Sequence, residues 1–467
     1  MVVGDIETGT ELLVIGGGPG GYSAAIRAGQ MGVDVTLVEK EDIGGTCLNR
    51  GCIPAKALIH AAEVEEEVEA WREIGIHSEN LDTDLKELQA WKNGVVEKLN
   101  KGVKNKLESV GVEIIKGEAR FIDDSTVRVE QEHRTDKLNF DECVVATGSK
   151  PIEVPGLEFE KEGVISSREL LNLDEAPEEL VVVGGGYIGM EAATKFGSFG
   201  SIVKIVEAEE QILPNFDEEV VEELQEASDT YSDEVYTDTK AVEVKEGERP
   251  VLVAEKDGEK VEIKGDYILV AVGRETRSNL ESVELANTGV EINENGFVET
   301  DPQMKASENI FVIGDAARGP LLAHKAYMEG KTVGEVAAGE STGMDSQYIP
   351  EVMYTDPEVA TVGLSEEEAQ ESHENVKVGR FPMKYSGRAL TTNTPKGYAK
   401  VVASENNKIL GAAFVANRAS DMVAEATLAL ELQAYLKDVT GTVHAHPTFS
   451  EAFMEACEDA LGKSIHT

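Results

Sequence analysis

The chain has 467 residues, 41% of them hydrophobic, enough for about three domains with cores of their own. Its 89 acidic and 43 basic residues give a formal net charge of −46 at pH 7, so a phosphate-backbone partner such as nucleic acid is not expected. The opening MVVGDIETGTELLVIGGG has no basic segment before its apolar run, and no stretch approaches 18 apolar residues, so neither signal peptide nor membrane span is expected and the chain reads as cytoplasmic.

Residues 11 to 39 read as strand ELLVIG, turn Gly16-Gly17-Gly18-Pro19-Gly20-Gly21, helix YSAAIRAGQMG and strand VDVTLVE. This is a GxGxxG turn in its strand-to-helix context. Gly16 permits the tight turn, Gly18 lets the backbone approach a pyrophosphate, and Gly21 allows close helix packing at a helix N-terminus that favours negative charge. Glu39 ends the second strand, placed to accept hydrogen bonds from ribose hydroxyls.

Directly after it comes Gly44-Gly45-Thr46-Cys47-Leu48-Asn49-Arg50-Gly51-Cys52-Ile53-Pro54-Ala55-Lys56. On a regular helix two cysteines five apart would have Cα atoms roughly 8 to 9 Å apart, beyond the ~7 Å a disulfide spans. A pair would therefore need a bent backbone. Gly51 tolerates such a bend, and Pro54 biases Ile53 away from helix. Read alone, the two are either a redox centre or unrelated core thiols. Two helices should follow, one with Val64, Val68 and Trp71 on a face, the next with Leu85, Leu88, Val95, Leu99, Val103 and Leu107.

The nucleotide-binding unit recurs at Leu180 to Glu207 with Gly184, Gly186 and Gly189 in its turn, 168 residues after the first copy. Two dinucleotides are implied. A carboxylate at Glu207 would repel a 2′-phosphate, which favours NAD over NADP. The copies close on the strands CVVATGS, near Gly148, and YILVAVGR, near Gly273. From ribose acid to that glycine is 109 residues in the first copy and 66 in the second, so the dithiol lies in an insertion of about 43 residues beside the first nucleotide.

The strand Asn309-Ile310-Phe311-Val312-Ile313 ends in Gly314-Asp315, a plain turn or a carboxylate offered to a ligand hydroxyl. From about Tyr348 the pattern becomes that of a separate α+β domain, with a linker near Gly339 to Gln347. Near the end, Thr448 and Glu451 fit a capping box; alternatively Glu451 orients His446 as a base and favours its charged form. The acidic surplus is spread along the whole chain rather than collected in a tail, as suits a solvated surface in a salt-rich, halophilic cytoplasm.

Taken together, GGTCLNRGCIPAK, the two glycine turns, ATGS at Ala146 to Ser149, VIGD at Val312 to Asp315, GPLLAHKA and HAHPTFSEAF make the chain resemble the flavoprotein disulfide reductases, over essentially its whole length. The nearest branch oxidises dihydrolipoamide. The resemblance implies an α/β architecture of two Rossmann-like domains, for FAD and NAD, plus a C-terminal α+β dimerisation domain. The implied division is 1–150 for FAD and the redox disulfide, 151–273 for NAD, 274–345 completing the FAD site and 346–467 for dimerisation.

It implies further that Cys47 exchanges with substrate sulfur, that Cys52 faces the flavin, and that Lys56 pairs with Glu191 near the flavin's reactive nitrogen. His446 and Glu451 would reach the dithiol of the other subunit. Gly16, Gly18, Gly21, Glu39, Thr46, Lys56, Gly117, Thr147, Gly148, Asp315 and Ala323 would hold FAD, while Gly184, Gly186, Gly189, Glu207 and Gly273 would hold NAD. No metal is implied. The partner would be a lipoyl-carrying acyltransferase of a 2-oxoacid dehydrogenase complex or the lipoyl protein of glycine cleavage.

Glutathione reductase-like relatives differ around the cysteines, and relatives with a C-terminal redox pair are disfavoured because only Cys457 lies near the terminus. Two other readings stay open: an NADH-dependent reductase of a small disulfide, and a mainly structural flavoprotein subunit. Ala55 stands where serine is usual, Arg50 brings a charge between the thiols, either favouring thiolate or facing solvent, and no proline follows VGR in Thr276-Arg277-Ser278-Asn279. Tyr187 either gates the nicotinamide pocket or is a packed aromatic.

Overall fold

The computed structural model describes residues 7–77, 83–227 and 235–467. The first six residues of the opening stretch lie outside them. The chain divides into two compact units, one of residues 1–57, 86–152 and 273–345, the other of 58–85, 153–272 and 346–467.

In the first unit, β1 (Glu7–Ile15), α1 (Pro19–Gln30) and β2 (Val35–Glu39) follow the expected order. After β2 come α2 (Gly45–Arg50), α3 (Cys52–Ala70), which runs on into the second unit, and α4 (Leu85–Ser109). Then follow β3 (Glu113–Lys116), β4 (Glu118–Phe121), β5 (Thr126–Glu130) and β6 (Thr135–Val145). The sheet order is β3-β2-β1-β6-β5-β4, with the strand Ile310–Val312 also paired to β6. β1, β2, β3, β6 and Ile310–Val312 are parallel, and β2 is buried along its whole length, as a strand covered on both faces must be.

The second unit repeats the plan. Its parallel sheet runs Val235–Tyr236, Ile202–Val206, Glu179–Val183, Tyr267–Val270, Val164–Ile165, strand for strand the counterpart of β3-β2-β1-β6 and Ile310–Val312. The antiparallel meander that β4 and β5 form with the first half of β6 reappears as a separate sheet over residues 240–264. Between β2 and β3 the first copy carries α2 to α4, the insertion expected from the spacing.

The C-terminal segment forms a five-stranded antiparallel sheet in the order Glu351–Met353, Glu358–Gly363, Ile409–Ala416, Tyr398–Ser404, Val376–Pro382. The helices Ala419–Glu431 and Glu451–Ala460 cover it, with Met422, Val423, Phe414 and Phe453 in the shared core.

Two local expectations are corrected. Ile53 is helical: Pro54 falls in the first turn of α3, where amides have no intrahelical acceptor, so the missing N–H costs nothing. The inward stripe of α4 is not purely apolar either. Leu107 is buried, but so are Gln89 and Lys92, whereas Leu99 is exposed, as are Val64 and Trp71 toward the end of α3. No helix among the described residues is long and apolar enough to cross a membrane.

Candidate active site

The two glycine turns are built alike. Gly16 has φ 102° and Gly184 φ 103°, the left-handed region that glycine enters freely. A Cβ on Gly21 would stand 1.8 Å from the carbonyl oxygen of Gly16, and one on Gly189 2.0 Å from that of Gly184, so helix and turn meet only because both positions are bare. Glu39 Oε2 accepts from the amide of Gly17 at 2.6 Å, and Glu207 Oε2 from that of Gly185 at 2.6 Å. Both carboxylates are buried. Burial pushes the Glu39 carboxyl above its usual range, against the lowering effect of the Gly17 amide.

The copies differ at the middle glycine. A Cβ on Gly186 would meet nothing within 4 Å, which leaves the N-terminus of the helix Tyr187–Ser198 open. Gly18 instead lies against Gly45, whose own Cβ would come 2.6 Å from the Gly18 Cα. The amide of Gly44 donates to the carbonyl of Gly17 at 2.8 Å. The thiol-bearing stretch is thus anchored on the first glycine turn.

From that anchor α2 carries Cys47, and the chain bends at Gly51 (φ −141°, ψ −112°) before Cys52 opens α3. A Cβ on Gly51 would press to 3.1 Å from the carbonyl oxygen of Thr46. The bend brings Cys47 and Cys52, both thiols here, into side-chain hydrogen-bond contact. That contact and burial raise the Cys47 thiol well above its usual range, while the charge of Lys56 works in the opposite direction.

Asparagines absent from the sequence-based set hold the stretch. Asn49 Nδ2 donates to the carbonyls of Ile43 and Gly45, each at 3.0 Å, and Asn100 Nδ2 on α4 donates to Ile43 at 2.5 Å and to Asn49 Oδ1 at 3.1 Å. Arg50 is paired with the carboxylate of Glu41 rather than turned toward solvent. The other two cysteines, Cys143 and Cys457, are fully buried, and burial raises both thiols.

Around Asp315 the first unit gathers a polar web. Asp315 Oδ2 accepts from Ser149 Oγ at 2.5 Å. The Gly314 amide donates to Glu329 at 2.7 Å, and Glu329 pairs at 2.8 Å with Lys325, both from the helix Ala323–Ala337 and both buried. Thr147 carries an Oγ1 that is buried without a protein partner, and its carbonyl accepts from Asn279 at 2.9 Å. Asn279 lies in a short helix, Arg277–Ser282, in the loop that lacks the proline. Gly148 has φ 66°, and the Gly117 amide donates to the carbonyl of Glu39 at 3.0 Å.

In the second unit His446 Nδ1 and Glu451 Oε1 are 2.9 Å apart, and Glu451 Oε2 accepts from the Thr448 amide at 2.7 Å. Glu451 is therefore both orienter and half of the expected capping box; the other half is missing, because the N-cap position falls to Ser450, whose side chain makes no cap hydrogen bond, and the Thr448 hydroxyl donates to Ala445. Glu191 accepts from the Tyr354 amide at 3.2 Å. Tyr187 hydrogen-bonds Glu351 and packs edge-on against Phe216 at 5.6 Å, and burial raises its phenol. The sequence missed the roles of Asn49, Asn100, Ser149 and Asn279: Asn49 and Ser149 stand inside motifs read for their cysteines and their glycine turn, and Asn100 and Asn279 are single polar residues that leave no periodic signal.

Residues 10–330 match the family described as pyridine nucleotide-disulphide oxidoreductase, and residues 349–457 match the dimerisation domain of that name. The chain is 44% identical to a dihydrolipoyl dehydrogenase of Haloferax volcanii, over 100% of this chain and 99% of that one. It is likewise 44% identical, at the same coverage, to a dihydrolipoyl dehydrogenase of Geobacillus stearothermophilus. Among solved structures it is similar to the Cu(II) complex of the HOCl-induced flavoprotein disulfide reductase RclA from Escherichia coli, with TM-score 0.87 and 26% identity, covering 97% of this chain and 99% of that one. The family match over most of the chain and the full-length relatives agree with the glycine turns and the dithiol: the chain belongs to the pyridine nucleotide-disulphide oxidoreductase family.

Proposed function

We propose that this protein oxidises protein-bound dihydrolipoyl groups to the lipoyl disulfide with NAD as acceptor, through Cys47, Cys52 and FAD. The observation that carries the reading is the dithiol anchored on the first glycine turn, with Gly45 packed on Gly18. The names of the full-length relatives support the choice of substrate.

The residues present fit both cofactors. In the first unit the bare turn of Gly16, Gly18 and Gly21, the buried and unpartnered Thr147 Oγ1 and the Asp315 carboxylate suit FAD, with Glu39 at its ribose. Thr46, Lys56, Gly117, Gly148 and Ala323 complete that set. In the second unit the open Gly186, with Gly184, Gly189, Glu207 and Gly273, suits NAD. FAD, when bound, takes two electrons from the dithiol and yields them as a hydride to NAD.

The chain's own groups handle sulfur and protons. One substrate thiolate attacks Cys47, displacing Cys52 as thiolate, and the second substrate sulfur then displaces Cys47 and closes the lipoyl ring. The dihydrolipoyl group thus loses two electrons and two protons, and the enzyme disulfide gains the two electrons. His446 accepts a proton from the incoming dithiol, held in orientation by Glu451. The charge of Lys56 favours the thiolate form of the dithiol.

The assembly proposed is a homodimer in which His446 serves the partner's dithiol, and the match to a dimerisation domain supports it. The domain division is 1–150, 151–273, 274–345 and 346–467, and the setting is the cytoplasm of a halophile. The test compares turnover of dihydrolipoamide with NAD against a panel of low-molecular-weight disulfides with NADH, both in molar salt. Faster turnover of any disulfide in the panel would replace the reading with that of a small-disulfide reductase.

A further inference from the structure

Lys325 and Glu329, one turn apart on the helix Ala323–Ala337, close a buried ion pair at 2.8 Å, and the pair has a second set of contacts. It holds Gly314 by both backbone groups: the amide donates to Glu329 Oε2 at 2.7 Å, and the carbonyl accepts from Lys325 Nζ at 3.1 Å. Gly314 has φ 69°, the bend that leads from the strand Ile310–Val312 to Asp315. With the peptide planes on either side of it gripped, the direction in which Asp315 leaves the turn is fixed. Its carboxylate is fixed as well, since Oδ2 accepts from Ser149 Oγ at 2.5 Å and Ser149 Oγ accepts from Arg274 Nε at 2.7 Å. The same helix lies bare against α1: a Cβ on Gly330 would stand 2.3 Å from the carbonyl oxygen of Gly20, and one on Gly334 2.8 Å from that of Ala24. One helix therefore grips the Asp315 turn and abuts the helix that opens on the first glycine turn.

We propose that Lys325 and Glu329 are positioning residues of the flavin site: by holding Gly314 from both sides they set the Asp315 carboxylate at a fixed place relative to the first glycine turn, so that both meet the same FAD. The inference rests on the reading of Asp315 as a carboxylate that accepts from a hydroxyl of FAD. A buried ion pair is a poor device for stability alone, because the cost of taking two charges out of water offsets their attraction, and well-packed apolar residues of similar volume often serve as well. Burial raises the Glu329 carboxyl, against the lowering effects of Lys325 and the Gly314 amide. Apolar residues could not supply a donor and an acceptor, one for each backbone group of Gly314. That is the role left to the pair.

The experiment measures cofactor binding by the holoenzyme in molar salt, FAD by the flavin fluorescence released on serial dilution and NAD by calorimetry. Lys325→Met combined with Glu329→Gln removes both charges and the grip on the Gly314 carbonyl, and leaves the Gly314 amide an acceptor. Far-UV circular dichroism and the affinity for NAD, which belongs to the second unit, should stay at wild-type level, while the FAD dissociation constant rises about tenfold. An unmoved FAD constant overturns the proposal, and so does an equal loss of FAD and NAD affinity, which marks a role in folding alone. If the double variant does not fold, Lys325→Met alone is read in the same way, because burial already favours the neutral form of Glu329. Asp315→Asn separates the two levels: wild-type FAD affinity there refutes the assignment of Asp315 and the proposal with it, whereas lost affinity there with an unmoved constant in the double variant refutes only the role of the pair.

Discussion

His446 Nδ1 stands 2.9 Å from Oε1 of Glu451, five residues further on. The second carboxylate oxygen is tied to the Thr448 amide at 2.7 Å, so Glu451 cannot rotate off the imidazole without losing a backbone hydrogen bond. If the pair manages the substrate's proton, His446→Gln should lower kcat for dihydrolipoamide oxidation by about 10²- to 10⁴-fold. Glu451→Gln keeps the shape and loses the charge, for a loss of about tenfold or more. Steady-state kinetics decide this; a His446→Gln enzyme with half the wild-type kcat would remove the histidine from the mechanism.

The two glycines of the second turn should fail in different ways. Gly189→Ala forces a methyl to 2.0 Å from a backbone carbonyl, and overpacking of this kind costs about 1 to 3 kcal/mol. Gly186→Ala meets open space, so the fold should persist while the KM for NAD rises and flavin content stays at wild-type level. Thermal melts and flavin absorbance would separate the two. Equal loss of stability in both variants would contradict the assignment of Gly186 to the nucleotide.

Lys400, almost wholly buried, bridges Asp217 at 3.3 Å, Glu219 at 2.8 Å and Glu366 at 2.9 Å, and Arg380 pairs with Glu219 and Glu366 of the three. Burial alone would raise the Glu219 carboxyl, but the hydrogen bonds from Arg380 and Lys400 outweigh it and hold its pKa near about 2, against an ordinary 4.5. A folded-state value below the unfolded one means stabilisation that is present above about 4.5 and is lost as pH falls toward about 2. Glu219→Gln should cost about 1 to 3 kcal/mol at neutral pH. Denaturant melts at fixed high salt should show the variant losing less on acidification than the wild type does; an equal loss would place the acid sensitivity elsewhere.

With a formal charge of −46, the fold should depend on salt. Screening shortens to about 3 Å at 1 M, which relieves the repulsion among surface carboxylates. Circular dichroism and activity followed during dialysis should both decline as KCl is lowered. A protein that stays folded and active for hours without added salt would contradict this.

The repeated nucleotide unit could be read from the chain because glycine marks backbone conformations no other residue takes cheaply, and Gly16, Gly21, Gly184 and Gly189 stand where a Cβ would collide. The insertion carrying the dithiol could be read by comparing the two copies. The ties of Ser149 to Asp315 and of Asn100 to Ile43 and Asn49 could not, because the partners lie in distant parts of the chain and a single polar residue has no period. Lys92 shows the same limit from the other side: a lysine on the inward face of α4 breaks the apolar stripe from which burial is inferred.

The polarity of the dithiol is the claim on which the account turns, and it is tested by comparing the absorbance of Cys47→Ser and Cys52→Ser holoenzymes. Cys47→Ser should show the long-wavelength band without any added reductant, because Cys52 is left as a thiolate beside oxidised flavin. Cys52→Ser should show none at any pH. A band in Cys52→Ser, with none in Cys47→Ser, would reverse the order of the two sulfurs and contradict the account.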